Sequence, residues 1–310
     1  MLLPDVLDRV VDWLPPLSYG RLGVALRRGR FGALPSLAGR TCVVTGATSG
    51  IGRAAAVQLG ALGAEVIVVG RDAARGAAAV DEVATAGGRA RFERCDVGQL
   101  AEVAALAARL PDRVDVLVHN AGALAATCAR TDDGVEQTWA THVLGPFALT
   151  ARLLPRLRAA PAPRVVFVSS GGMYLARLDL EAWRGDGPFD GVRAYAAAKR
   201  AQVELVAELA VRLPDVTTVA MHPGWADTAA VRDALPRFHR ATRALLRTPA
   251  DGADTIAYLA AAPREALVAG GFYLDRMPRP AHRLPTTRTT PAERDALWRL
   301  LAGQAGLTPA

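Results

Sequence analysis

The sequence predicts an α/β protein built on an open, doubly wound parallel sheet with helices on both faces, three layers in all. Three observations predict it. Short β-branched runs alternate with helix-period stretches from about residue 40 onward. That alternation argues for parallel strands joined by right-handed helical crossovers. The 310 residues, 51% apolar, suffice for one large core, and glycine and proline are scattered, so no linker divides the chain. The unusual residues cluster after strands, where such sheets bind their ligands.

Each element has its own signal. RTCVVTG (40–46) is a β-branched run ending in glycine, and IGRAAAVQLGALG follows with helical spacing. EVIVVG (65–70) is the second strand, followed by an alanine-rich helical stretch to about Thr85. ARFERCD (90–96) reads as a third strand with a helix over 99–109. VDVLVHNAG (114–122) is a strand ending in small residues, and a long helix is expected over about 132–159. RVVFVSS (164–170) is a strand, and the next helix carries YAAAKRAQVELVAELAVRL. VTTVAMHPG (216–224) and GGFYLD (270–275) complete the strands. TTPAERDALWRLLAG (289–303) opens with a capping-box pattern, Thr290 with Glu293, and proline at the first helical position. It is expected to be a docking helix near the end of the chain.

Composition excludes several functions. The formal net charge is +7, but the arginines are spread rather than blocked, so no nucleic-acid partner is expected. No run of about 18 apolar residues predicts a membrane span, and the first residues lack the basic start of a secretory signal. Cys42, Cys95 and Cys128 are widely spaced, giving neither a disulfide framework nor a zinc site. A reduced cytoplasmic protein without a metal is the expectation.

The loop after the first strand is TGATSGIG (45–52). Its glycines allow a tight turn and close approach of backbone to a pyrophosphate, and the following helix aims its amide end at the charge. Gly46, Thr48, Ser49, Gly50, Ile51 and Gly52 are therefore candidate dinucleotide contacts. At the end of the second strand stand Gly70 and Arg71 in place of the acid that usually holds a 2′-hydroxyl. Arg71 offers a bidentate partner to a 2′-phosphate, which favours NADP(H) and leaves NAD(H) as the second choice. Asp72 is expected to point away or cap the next helix. Asp96, with Val97 beside it, follows the third strand and is a candidate for the adenine amino group. Asn120, the only asparagine, heads Asn120-Ala121-Gly122 after the fourth strand and is read as cofactor floor and strand lock.

Lys199 is the only lysine among 37 basic side chains. It stands four residues after Tyr195, on one face of a predicted helix. An ammonium there favours the phenolate and would lower the phenol pKa, tuning it for proton exchange with a substrate oxygen. Arginine's larger fork would not fit the same geometry. Ser170 ends the preceding strand.

The ordered set Thr45–Gly52, Asn120-Ala121-Gly122, Ser170, Tyr195–Lys199 and Pro223-Gly224 resembles the short-chain dehydrogenase/reductase family over about residues 39–275. The resemblance implies a single Rossmann-type domain with Pro223 and Gly224 at the cofactor. It implies Tyr195 as proton donor or acceptor, Ser170 as carbonyl polariser and Lys199 as ribose-binding group. SSGGM, MHPGWADT and the DRMPRPAHRLP tail are similar to a narrower branch, that of the dehydrogenase/reductase SDR family member 12 and its bacterial relatives. One departure stands out. Anchored on Gly145, His142 replaces the asparagine whose family role is to hold a water in a proton relay behind the lysine. A histidine can relay protons itself.

The expectation is an NADP(H)-dependent oxidoreductase acting on a hydrophobic carbonyl or alcohol. The alternative is an impaired cofactor-binding regulator of the same fold. Segments 171–192 and 225–247 are expected to line the substrate pocket, with Met173, Tyr174 and Trp225 as contacts. Residues 1–38 form an amphipathic arm before the catalytic domain (39–280), and 281–310 a tail. The arm is expected to pack on the protein, with peripheral membrane contact and a homo-oligomer left open.

Overall fold

The computed structural model describes residues 11–307 apart from Trp13, so the first ten residues of the expected arm and the last three of the tail lie outside the described residues. Eight strands form one sheet in the order β3-β2-β1-β4-β5-β6-β7-β8. They are β1 (Thr41–Thr45), β2 (Glu65–Gly70), β3 (Arg89–Arg94), β4 (Val116–His119), β5 (Arg164–Val168), β6 (Thr217–Met221), β7 (Phe272–Leu274) and β8 (Met277–Arg279). Every pairing is parallel except β7 with β8. The strand order reverses between β1 and β4, which opens a crevice at the carboxyl ends of both.

The α-helices of six residues or more among the described residues are α1 (Arg21–Arg28), α2 (Gly50–Ala61), α3 (Ala73–Thr85), α4 (Leu100–Arg109), α5 (Gly145–Arg158), α6 (Gly191–Arg212), α7 (Ala229–Ala234), α8 (Pro236–Thr242), α9 (Pro249–Ala261) and α10 (Pro291–Gln304). Successive strand residues feed opposite cores because the side-chain period of a strand is two. Val43, Leu117, Val165 and Phe167 pack with Leu106 of α4, Leu153 of α5 and Leu205 of α6. Val44, Val118 and Val166 pack with Leu59 of α2, Val83 of α3 and Ile256 of α9. Edge strand β3, RARFER, keeps arginine and glutamate at its margin, as an unpaired sheet edge requires.

Three boundaries differ from the sequence reading. The helix expected over 132–159 starts only at Gln137, passes through a π-helical turn at Ala140–Leu144 and continues as α5. Glu136 caps its start by accepting from the Thr138 and Trp139 amides at 2.8 and 2.9 Å. The fourth strand stops at His119, because the Asn120 amide turns to the Thr45 hydroxyl at 3.1 Å. Strand β8 was not foreseen; a two-residue turn through Asp275 and Arg276, both at positive φ (52° and 62°), folds it back on β7.

The capping box before α10 is present, with Thr290 and Glu293 bonded reciprocally. Residues 14–28 pack on the body. Arg27 is buried and donates to Asp275 at 2.7 Å and to the Ser18 carbonyl at 3.1 Å.

Candidate active site

One cavity of about 760 Å³ lies along the carboxyl ends of β1, β2, β4, β5 and β6. Every proposed dinucleotide residue from Gly46 to Gly224 lines it, as do Ser170, Tyr195, Lys199, His142 and Trp225. Its size is that of a small-molecule site.

The β1–α2 loop forms the tight part. Gly46 and Gly50 have φ of 65° and 54°, where glycine is the residue without strain. A Cβ on Gly52 would lie 2.2 Å from Asn120 Nδ2 and 2.4 Å from the Gly46 carbonyl oxygen. The start of α2 is thus pressed against the end of β1. Ser49 at the helix N-cap makes no side-chain bond to the first turn, so the positive end of α2 borders the cavity without a side-chain cap. Asn120 Nδ2 donates to the Thr45 and Gly46 carbonyls at 3.0 and 3.2 Å. Thr45 Oγ1 accepts from the Asn120 and Ala121 amides, each at 3.1 Å. Asn120 therefore works as the expected lock, holding β4 to the glycine loop. A cradle that any Cβ would fill, beside a helix start with no side-chain cap, fits a dinucleotide pyrophosphate.

At the next strand end, a Cβ on Gly70 would meet Thr48 Cγ2 at 2.5 Å. Arg71 is exposed and reaches Asp96 Oδ2 at 3.4 Å. Asp72 caps α3 by accepting from the Arg75 amide at 3.0 Å, and its other oxygen pairs with Arg75 Nε at 3.1 Å. That bond, with Arg75 beside it, holds the Asp72 carboxyl below its ordinary range. Asp96 Oδ1 accepts from the Gly98 amide at 2.9 Å.

The proton-handling groups meet at the centre. Asp190 caps α6, accepting from the Val192 and Arg193 amides at 2.9 and 3.1 Å. One turn on, Tyr195 and Lys199 share the face toward the cavity, with Lys199 Nζ 5.4 Å from the Tyr195 ring centre. Nζ donates to the Val168 carbonyl at 2.7 Å. Ser169 donates its hydroxyl to the Lys199 carbonyl at 2.9 Å. Both serines line the cavity; Ser170 Oγ accepts from the Gly172 amide at 3.3 Å, and its side chain is the one that acts on the phenol of Tyr195.

The expected acidification of Tyr195 is not a property of the protein alone. Burial raises its pKa, and only the Ser170 hydrogen bond opposes. Burial also pushes Lys199 down to about 7, so the ammonium meant to stabilise a phenolate is itself only weakly held. His142 sits in the π turn with its ring edge-on to Tyr195, centres 5.3 Å apart. Its Nε2 lies 3.1 Å from the Ala123 carbonyl and donates to it, while Nδ1 is buried with no hydrogen-bond partner among the described residues. Burial, with the Lys199 charge next, drives its pKa well below the ordinary value, so the ring is neutral.

Two expected substrate contacts are not at the cavity. Met173 is fully buried in the core, and its carbonyl accepts from Arg200 at 2.9 Å. Tyr174 is buried against Phe272 and donates to the Pro280 carbonyl at 2.8 Å. Arg200, buried on α6, pulls the 171–176 segment inward, and sequence spacing does not register that. Of segment 171–192, Gly172 and Val192 line the cavity; of 225–247, much of the stretch from Trp225 to Phe238 does, with Trp225, Thr228, Leu235 and Phe238 among them. Leu124, Gln137 and Thr138 also line it and were missed. Thr228, inside the expected segment, caps α7 beside Gly50, 3.3 Å from where a Cβ would stand. Among the described residues no group of side chains could hold a metal ion, and no helix is long and apolar enough to cross a membrane.

The family model for short chain dehydrogenase matches residues 40–237. The chain is 38% identical over 271 residues to the Bos taurus dehydrogenase/reductase SDR family member 12, covering 85% of each. It is 38% identical over 282 residues to the Mus musculus polyprenol dehydrogenase, covering 86% of this chain and 83% of that one. A solved 3-oxoacyl (acyl-carrier-protein) reductase from Agrobacterium tumefaciens C58, with NADP bound, superposes with a TM-score of 0.60 at 28% identity, over 73% of this chain and 89% of that one. With the crossover sheet, the glycine cradle and the serine, tyrosine and lysine around one crevice, these matches make the chain a member of the short-chain dehydrogenase/reductase family of oxidoreductases, which act on carbonyl and CH–OH groups.

Proposed function

We propose that the protein is an NADP(H)-dependent oxidoreductase for a hydrophobic carbonyl or alcohol, with Tyr195 as its general acid and base. The observation that carries the reading is one cavity in which Ser170, Tyr195 and Lys199 stand beside the glycine cradle. When bound, the nicotinamide supplies or accepts the hydride. The chain's own residues handle the oxygen and the proton. Ser170 donates to the substrate oxygen, and Tyr195 gives it a proton in reduction or takes one in oxidation. A raised phenol pKa keeps Tyr195 protonated at neutral pH, the form that reduction needs. Lys199, held near 7, exchanges a proton readily there, and the neutral His142 ring stands edge-on to Tyr195. Arg71 and Arg75 favour a 2′-phosphate, and the NADP in the solved reductase agrees. Trp225, Leu235 and Phe238 supply an apolar wall, in keeping with the long apolar alcohol named for the polyprenol relative.

Tyr195→Phe should lower turnover of NADPH with an aromatic aldehyde by at least about a hundredfold while leaving NADPH affinity within about threefold. Full turnover in that variant would remove the scheme. Arg71→Asp should weaken NADPH and favour NADH; an unchanged ratio of the two kcat/KM values would refute the assignment.

A second reading concerns placement, and we infer peripheral contact with an anionic membrane surface. Leu14, Leu17, Leu22 and Leu26 are exposed on the arm, and Leu22 and Leu26 share the outward face of α1. No acidic residue occurs between Asp12 and Glu65, while Arg21 and Arg28 flank those leucines.

A further inference from the structure

His222 stands immediately before Pro223-Gly224. It follows β6 directly, and its backbone amide donates to the Tyr273 carbonyl at 2.8 Å. Its ring then does something the ladder does not need. Nδ1 accepts two amide hydrogens from different loops, that of Gly171 at 3.2 Å and that of Gly224 at 3.3 Å. An imidazole nitrogen that accepts carries no proton, so the proton is on Nε2. Nε2 is buried without a hydrogen-bond partner among the described residues.

The arm closes that side. The Tyr19 ring stands perpendicular to the His222 ring, centres 4.4 Å apart. A Cβ on Gly171 would strike both His222 Nε2, at 2.9 Å, and Tyr19 Cε2, at 3.0 Å. The Tyr19 carbonyl also accepts from the Trp225 amide at 2.7 Å. Gly224, at φ 74°, is wedged between this carbonyl and Arg247, where a Cβ would lie 2.6 and 2.3 Å away. The Ser170–Gly171 turn and the Pro223–Gly224 turn are thus pinned to one ring, and that ring is pinned by the arm.

We propose that His222 is a positioning residue for the reaction: its unprotonated Nδ1, fixed by Tyr19 of the N-terminal arm, holds the Ser170 turn and the Gly224 turn at a set separation. Ser170 is the hydroxyl that meets the substrate oxygen in the proposed function, and this inference rests on that reading. Gly224 and His222 itself border the same cavity. A neutral ring is required, because a proton on Nδ1 would eject both amides. Burial, together with the Arg247 and Arg283 guanidiniums that face the ring, pushes His222 down to about 3. Tyr19 is the remaining titratable group against it, and burial raises its pKa, so it stays uncharged.

The test uses three substitutions in the full chain. The Oδ1 of an asparagine stands near the place of Nδ1, whereas the oxygen of a glutamine stands near Nε2. His222→Asn should therefore keep kcat for 4-nitrobenzaldehyde with NADPH within about threefold of the wild type, and His222→Gln and His222→Leu should lose about tenfold or more. KM for NADPH should follow the same ranking, near wild type in His222→Asn and raised in His222→Gln and His222→Leu, since the Gly224 turn that the ring holds is itself a candidate cofactor contact. In parallel, hydrogen exchange of glycine-labelled protein should show the Gly171 and Gly224 amides protected in the wild type and His222→Asn, and about tenfold less protected in His222→Leu. Imidazole nitrogen shifts should show Nδ1 unprotonated from about pH 5 to about pH 8. Equal protection in all variants, a ring that titrates in that window, or an asparagine variant no better than glutamine would overturn the proposal. Should the wild type fail to reduce the aldehyde, the redox reading loses its support, while amide protection and the ring shifts still decide the role of His222.

Discussion

Lys199 shows how far a single residue can be argued. Its burial holds the folded-state pKa at about 7, below the ordinary lysine value of about 10.4. Between those limits the unfolded chain binds one more proton than the folded one, so stability rises as pH rises from about 7 to about 10. At lower pH the buried ammonium is a standing cost. Lys199→Met should remove this slope, up to about 1.4 kcal/mol per pH unit, and should stabilise the protein at pH 7 while abolishing turnover. Urea midpoints across that window measure it; parallel curves for wild type and variant would refute it. On the proposed reading function opposes stability here, which would account for one lysine in a chain that otherwise uses arginine. Its position was legible because i and i+4 share a helix face. The pKa direction of Tyr195 was not, because burial is a property of the whole fold.

Among the elements, the β7–β8 turn carries more than its length suggests. Asp275, at positive φ, accepts from Arg27 at 2.7 Å and from Arg247 at 2.5 and 3.2 Å, and all three side chains are buried. Asp275→Asn removes the carboxylate that two buried guanidiniums share, leaving Arg27 with Asp12 at 4.0 Å, which should cost on the order of 3–5 kcal/mol. Chemical denaturation measures it, and a loss below about 1 kcal/mol would show that the cluster contributes little. The sequence GGFYLDRMPR named the first strand but not the second, since neither residue of the turn is glycine or asparagine. The π turn at Ala140–Leu144 escaped for a similar reason. A Cβ on Gly145 would lie 1.8 Å from the Val97 carbonyl, so the helix is shaped by close packing with the β3–α4 loop and not by its own periodicity.

For the molecule as a whole, the arm is the part that tertiary structure redefined. Residues 14–28 are bolted to the substrate side of the site through Arg27, Tyr19 and the Arg21 amide, which donates to the Leu245 carbonyl at 2.8 Å. The outward leucines of that segment face away from these contacts. If they meet a bilayer, the protein should float with vesicles containing anionic phospholipid and release at high salt, and Leu22→Glu/Leu26→Glu should stay behind without loss of fold. Equal recovery with neutral vesicles would refute the electrostatic part, and no flotation at all would refute the surface.

By itself the sequence determined the sheet class, the glycine cradle, the cofactor-facing strand ends and the pairing of Tyr195 with Lys199. Each of these is written in local spacing: period two in strands, three to four in helices, and glycines where a backbone must come close. Only the tertiary structure decided that Met173 and Tyr174 belong to the core, that Asp275 joins two distant arginines, and that His222 stands between two loops. Those facts depend on what residues far apart in the chain bury together, and burial sets both pKa and hydrogen-bond partner, which no local pattern records.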